Sequence, residues 1–298
     1  MMKIVLIIAA ILIVFGIVLF VVSLASNNWD ISQLNTGNLQ SNTYSIAQDF
    51  QNISVRTDTT DVILVPSDNG ICRVECNEQK NMQHLVTVKD QTLDISTNDN
   101  RKWFEHISFF CFDTAKITIY LPRTEYAALH IENDTGDVEI PKEVQFESVD
   151  ISVSTGDVKY FASATEKIKL KTSTGDILVQ GITAGNMELS VSTGNTKLTD
   201  VQCQNLRSTG STGDLHLQSV IASEQFSIER STGDVKLDCC DAGEIKIETD
   251  TGHVTGSLLS PKIFIIETDT GRVDVPKSIT GGRCEIETDT GNIKITRP

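Results

Sequence analysis

A Thr-Gly pair returns along this chain at a nearly constant interval. Its glycines are Gly136, Gly156, Gly175, Gly194, Gly213, Gly233, Gly252, Gly271 and Gly291, spaced 20, 19, 19, 19, 20, 19, 19 and 20 residues apart. A period this regular is the signature of a solenoid, because one such unit cannot close a core and stacked copies can. Each pair sits between runs of period-two alternation. Ile245, Ile247, Thr249 and Thr251 alternate with Lys246, Glu248 and Asp250, and Ile151, Val153 and Thr155 alternate with Ser152 and Ser154. Such alternation puts one face of a strand inward and the other outward. Glycine gives the freedom a sharp bend requires. Threonine suits a strand end, and its hydroxyl can bond within the turn or to the next coil. Helix signals are weak through the repeats, so helical and leucine-rich arrays are set aside. The expected fold is an all-β solenoid of 19–20-residue coils over 131–298, with two or three strands per coil.

The repeat fades towards the N-terminus. Thr57-Asp58-Thr59-Thr60-Asp61-Val62 resembles the later TDTGDV, with Thr60 in the glycine slot, 76 residues or four periods before Gly136. Residues 47–130 therefore read as degenerate coils in phase with the rest. Residues 98–113 break the pattern with Trp103, Phe104, Phe109, Phe110 and Phe112. They read as an insertion packed on the solenoid or capping it, or as an aromatic contact loop for a membrane or partner.

Ile4 to Ala25 carries no charge, and Lys3 precedes it. About 20 helical residues span the ~30 Å of a bilayer core. The expectation is an uncleaved single-pass anchor over 1–26 with a cytoplasmic N-terminus. A polar linker follows at 27–46, and the remainder lies outside the cytoplasm. A cleaved signal peptide is the rival, and the apolar run is long for one. Beyond residue 26 stand 24 basic against 40 acidic residues, a net −16. That surface repels nucleic acid and anionic lipid headgroups, and it tolerates cations.

The anchor together with the STGDV, TDTGHV and TDTGRV repeats resembles a bacterial adhesin-like, LiaG-like family of β-strand-repeat proteins of unknown function. It is also similar to secreted head-GIN-domain proteins. The resemblance covers about 45–298. It implies a right-handed β-helix-like fold in the cell envelope, with some relatives accompanying envelope-stress genes, and it brings no catalytic residues.

Two acidic series follow from the repeat. Asp137, Asp157, Asp176, Asp214 and Asp234 come just after the glycine, while Asp250, Asp269 and Asp289 come two before it. Stacked coils would set neighbours about 5 Å apart. Either solvent and the interleaved Asn195, His253, Arg272 and Asn292 relieve the repulsion, or calcium binds. The plainer expectation is a solvated turn in which aspartate caps its own backbone, with no cofactor required. The Asp-Thr-Gly triplets at Asp134, Asp250, Asp269 and Asp289 match the aspartic-protease signature. That chemistry needs two buried aspartates sharing a proton, whereas here the triplet recurs at the repeat period and serine replaces the aspartate in other coils. A polysaccharide lyase would need acids beside a base such as Arg230, Lys236 or Arg272, at a place where the repeat breaks.

The seven cysteines, Cys72, Cys76, Cys111, Cys203, Cys239, Cys240 and Cys284, are odd in number and fall at different phases. Cys72 and Cys76 on one strand would stand about 13 Å apart, too far for a disulfide. Adjacent Cys239 and Cys240 would face opposite ways. Small buried hydrophobes is the expected role. The five histidines show no metal-ligand spacing. The sequence thus points to a non-catalytic envelope scaffold or adhesin-like binder. Its expected partner is a cell-wall polymer, an envelope protein or, through an open solenoid end at Ile295–Pro298, another copy. An accessory role in envelope-stress signalling is the alternative.

Overall fold

The computed structural model describes residues 13–18, 21–22, 25–26, 39–79, 82–99 and 115–297. Residues 13–18, 21–22 and 25–26 are helical, and the rest of the apolar run lies outside the described residues. Among the described residues no helix is long and apolar enough to cross a membrane. Trp103, Phe104, Phe109, Phe110 and Phe112 also lie outside the described residues.

The remaining chain is a single β-sheet system. Its N-terminal strands are β1 (Leu39–Ile46), β2 (Asn52–Pro66), β3 (Cys72–Gln79), β4 (Met82–Lys89), β5 (Thr92–Asp99) and β6 (Ala115–Leu121). The repeats follow as β7 (Glu125–Thr135), β8 (Val138–Ile140), β9 (Gln145–Thr155), β10 (Val158–Tyr160), β11 (Ser163–Thr174), β12 (Ile177–Thr193), β13 (Thr196–Thr212), β14 (Leu215–Thr232) and β15 (Val235–Thr251). The chain closes with β16 (Val254–Leu258), β17 (Lys262–Thr270), β18 (Val273–Asp274), β19 (Gly282–Thr290) and β20 (Ile293–Thr296).

From β7 to β15 each coil lies parallel on the one before it, in register. Inward residues therefore form columns. One runs Val55, Ile131, Ile151, Leu170, Leu189, Ser208, Ile228, Ile247, Ile286, with every member buried. Each aliphatic side chain so buried contributes roughly 1.5–3 kcal/mol of transfer free energy, which one coil alone cannot recover.

A coil bends at three places. The first is the Thr-Gly turn. The second lies six residues later, where Gly181, Asp200, Ser219 and Cys239 take left-handed φ of 67°, 54°, 52° and 53°. The third shows as register breaks at Ala164/Lys167, Cys203/Asn205 and Ala222/Gln225. Nineteen residues thus make three sides. The second corner left no glycine signature because only Gly181 among the four is a glycine.

The coils are not stacked in sequence order at either end. β2 pairs in parallel with β7 and β8 on one side and with β5 and β6 on the other. The segment between β2 and β7 adds one pseudo-coil, β5 with β6, beyond β2. It also adds an antiparallel cap in which β3 pairs with β1 and β6, and β4 pairs with β5. Thr59 pairs with Thr135, so the expected four-period offset appears as a direct contact between the two coils. At the other end β19 pairs with both β15 and β17, and β20 with both β16 and β18. The last coil in sequence is therefore inserted beneath the previous one. The terminal edge belongs to β17 and β18, with Ile263, Ile265 and Val273 exposed, and not to Ile295–Pro298 as the sequence suggested.

Candidate functional site: the turn column and the acidic face

The turn glycines form one column in the spatial order Gly136, Gly156, Gly175, Gly194, Gly213, Gly233, Gly252, Gly291, Gly271, starting above Thr60. Gly194 shows why glycine is required. Its φ is +141°, and a Cβ there would lie 2.0 Å from the carbonyl oxygen of Gly175. The turn threonines are exposed, and their carbonyls accept the neighbouring coil's glycine N–H, as from Gly156 to Thr174 at 2.8 Å. The threonine hydroxyls that reach the next coil belong to inward residues such as Thr172, which donates to the Gly156 carbonyl at 3.0 Å.

Beside the glycines runs a hydrogen-bonded side-chain ladder. The backbone N–H of Asp137 donates to Asp61 Oδ1, that of Asp157 to Asp137 and that of Asp176 to Asp157, at 2.9, 2.9 and 2.8 Å. Asn195 donates to Asp176 (2.6 Å), Asp214 to Asn195 (3.0 Å) and Asp234 to Asp214 (2.8 Å). His253 then donates to Asp234 (2.7 Å), Asn292 to His253 Nδ1 (2.8 Å) and Arg272 to Asn292 (2.9 Å). Each acceptor caps the following coil's backbone, where the sequence pointed to a cap on its own. Asp, Asn and neutral His all offer an acceptor atom, which explains the tolerated identities. Arg272 offers none, and it stands on the terminal coil, where there is no further N–H to receive.

The second series separates from the first. Asp250, Asp289 and Asp269 occupy successive coils and are exposed, next to a parallel column of Glu229, Glu248, Glu287 and Glu267. Where these columns meet the serine-bearing coils there is a shallow groove of about 460 Å³, lined by Ser190, Ser192, Thr209, Ser211, Glu229, Arg230, Ser231, Glu248 and Asp250. Arg230 turns inward, 3% exposed, through the space Gly210 leaves free. It donates to Ser208 Oγ at 2.8 Å and Thr196 Oγ1 at 3.3 Å, while its Nε is unpaired. Burial pulls the guanidinium down to about 10, against an opposing pull from Asp214.

The three alternative bases for a lyase stand at different places. Arg230 is inside the core, Lys236 pairs with Asp238 at 2.8 Å, and Arg272 ends the ladder. Five cysteines, Cys72, Cys76, Cys203, Cys240 and Cys284, are buried and free, Cys239 is exposed, and Cys111 lies outside the described residues. The metal-type cluster that spacing did not reveal is Cys76, Glu78 and His84, which meet inside the antiparallel cap.

A parallel β-solenoid with a glycine turn column and a side-chain capping ladder defines the class: a repeat protein of the toast-rack kind, whose long faces are exposed. Residues 50–296 match the Toastrack DUF4097 family, and the chain belongs to it. Among solved structures, a "putative adhesin" from Parabacteroides distasonis ATCC 8503 is similar over 88% of this chain and 98% of that one, at 14% identity and a TM-score of 0.53. A "putative adhesin" from Bacteroides fragilis NCTC 9343 aligns over 87% and 97%, at 18% identity and a TM-score of 0.47. A "putative lipid binding protein" from Parabacteroides distasonis ATCC 8503 aligns over 87% and 98%, at 14% identity and 0.42. At these identities the likeness concerns the fold alone. No curated protein matches the chain.

Proposed function

We propose that this chain is a non-catalytic surface-binding module of the cell envelope, adhesin-like, which presents a stiff, acidic solenoid face to a wall polymer or an envelope protein. The observation that carries the reading is the exposed hydroxyl and carboxylate face around Ser192, Ser211, Glu229, Glu248 and Asp250, which forms a shallow groove across successive coils. Repetition suits a polymeric ligand, whose own repeat can be met by successive coils about 4.8 Å apart. Arg230, the candidate base beside these acids, is buried, which weighs against an acid–base site on that face. Presentation from a membrane by the N-terminal apolar run, with the solenoid outside, fits the exposure of Ile13, Val14, Phe15 and Ile17, each more than half exposed on the helical segment.

Sedimentation of purified protein with isolated cell walls tests this reading. Binding that falls when Glu248 and Asp250 are changed to lysine supports it. Failure to co-sediment with walls at any ionic strength would overturn the wall-polymer partner and leave the envelope protein.

A further inference from the structure

The antiparallel cap buries an unusual set of groups. The inward side of β3 carries Cys72, Val74, Cys76 and then Glu78, all buried, and β4 turns His84 into the same space. Glu78 and His84 are 1% and 0% exposed at their side chains and meet at 2.7 Å, Oε2 to Nδ1. One ligand-type atom from each of Cys76, Glu78 and His84 lies within 4.8 Å of the other two. A carboxyl group and an imidazole this deep lose more hydration than one contact readily returns, and apolar residues would serve packing better.

The surroundings are those of a held ligand set. Asn42 Nδ2 donates to the outer carboxylate oxygen, Glu78 Oε1, at 2.6 Å. The far ring nitrogen of His84, Nε2, faces Thr60 Oγ1 at 3.5 Å. Metal-bound histidines and carboxylates are oriented in this way, with the atom away from the metal tied to an oxygen or an amide. Thr60 is also the residue that starts the turn column, so the cluster sits where the cap joins the first coil.

We infer that Cys76, Glu78 and His84 form a site for a zinc-like divalent cation that fastens the cap to the solenoid. The donor set of one thiolate, one imidazole and one carboxylate suits zinc and disfavours calcium or magnesium, which take oxygen ligands. With metal bonds of about 2.0–2.3 Å, tetrahedral neighbours stand roughly 3.3–3.7 Å apart. The Glu78–His84 contact must therefore open by somewhat under ~1 Å as the ion enters. Zinc then bonds to Cys76 Sγ, His84 Nδ1 and Glu78 Oε2; the proton of the Nδ1–Oε2 hydrogen bond is displaced to Nε2, which faces Thr60 Oγ1, and the thiol proton leaves to solvent.

The test uses the full chain in detergent, stripped with a chelator and reloaded with zinc alone or cobalt alone, on a background with Cys111→Ala and with Cys239→Ala, the latter removing the exposed thiol among the described residues. One zinc per chain is expected to remain after dialysis, with a higher melting temperature. Cobalt is expected to give a tetrahedral spectrum with a thiolate charge-transfer band. Cys76→Ala, which removes no hydrogen bond seen here, should abolish that band, and Asn42→Ala should weaken zinc binding by about 10–100-fold. No retained zinc, a cobalt spectrum without the thiolate band, or equal binding by Cys76→Ala would overturn the site. Should Cys76→Ala fail to fold, the cobalt spectrum of the parent chain decides alone.

Discussion

The backbone N–H of Asn292 donates to Nδ1 of His253 at 2.8 Å, joining residues 39 positions apart across a single coil. Sequence order would place Arg272 on His253. Instead Arg272 donates to Asn292 from the far side, and the ladder stops there. The lack of an acceptor on Arg272 and its terminal place are one fact, because a ladder residue needs an acceptor only if another coil follows.

The ladder bonds should be measurable one at a time. Asp157 accepts the Asp176 N–H at 2.8 Å in a solvated turn. Asp157→Ala is expected to cost about 0.5–1.5 kcal/mol in urea unfolding, and Asp157→Asn to cost less, since the amide oxygen still accepts and a like-charge neighbour is gone.

A side chain added at a stacked turn glycine meets the backbone of the neighbouring coil. Gly194→Ala puts a methyl 2.0 Å from the Gly175 carbonyl oxygen at φ +141°. It should destabilise by about 3 kcal/mol or more, or split the stack, as seen by a lower and broader thermal transition.

Arg230 is a buried guanidinium whose partners are hydroxyls, with an unpaired Nε. Arg230→Met should leave the fold intact and change stability by no more than about 1–2 kcal/mol, because removing a buried charge offsets the loss of a donor to the buried Ser208 and Thr196 hydroxyls. A marked loss would mean that the guanidinium organises this part of the core.

Burial raises the thiols of Cys72, Cys76, Cys240 and Cys284 to about 12 and that of Cys203 to about 11. The folded values exceed the unfolded ones, so this contribution is whole below the ordinary thiol value and is lost as pH rises through the folded values. Stability should fall between about pH 9 and about pH 12. Cys284→Ala should flatten that fall.

Millimolar calcium should leave the melting temperature unchanged. In the first acidic series Oδ1 of each aspartate already accepts a backbone N–H. A shift of many degrees would show that the remaining oxygens collect the ion.

The repeat made the coil, its turn and its inward columns legible, because a 19-residue period and two-residue alternation leave few alternatives. Coil order was hidden by the same regularity, since Thr251 finds an equivalent partner in Thr270 or Thr290. The order shows in the pairing of β19 with both β15 and β17. Lys262 on the terminal coil runs past the bare Gly282 and pairs with Asp241 at 2.7 Å, spanning the inserted coil. The Cys76–Glu78–His84 cluster was half legible. Alternation from Cys72 puts Glu78 on a buried face, but His84 comes from the next strand at a spacing no zinc motif uses.

Paired cysteines test the stacking order most directly. In a chain with Cys239→Ala, His253→Cys with Asn292→Cys should oxidise to a disulfide, since neighbouring coils bring the two Cα atoms to about 5 Å. His253→Cys with Arg272→Cys should not, because two coils separate them by about 9–10 Å. The reverse outcome, with only the 253–272 pair closing, would contradict the inserted coil and return the edge of the solenoid to the chain's last strand.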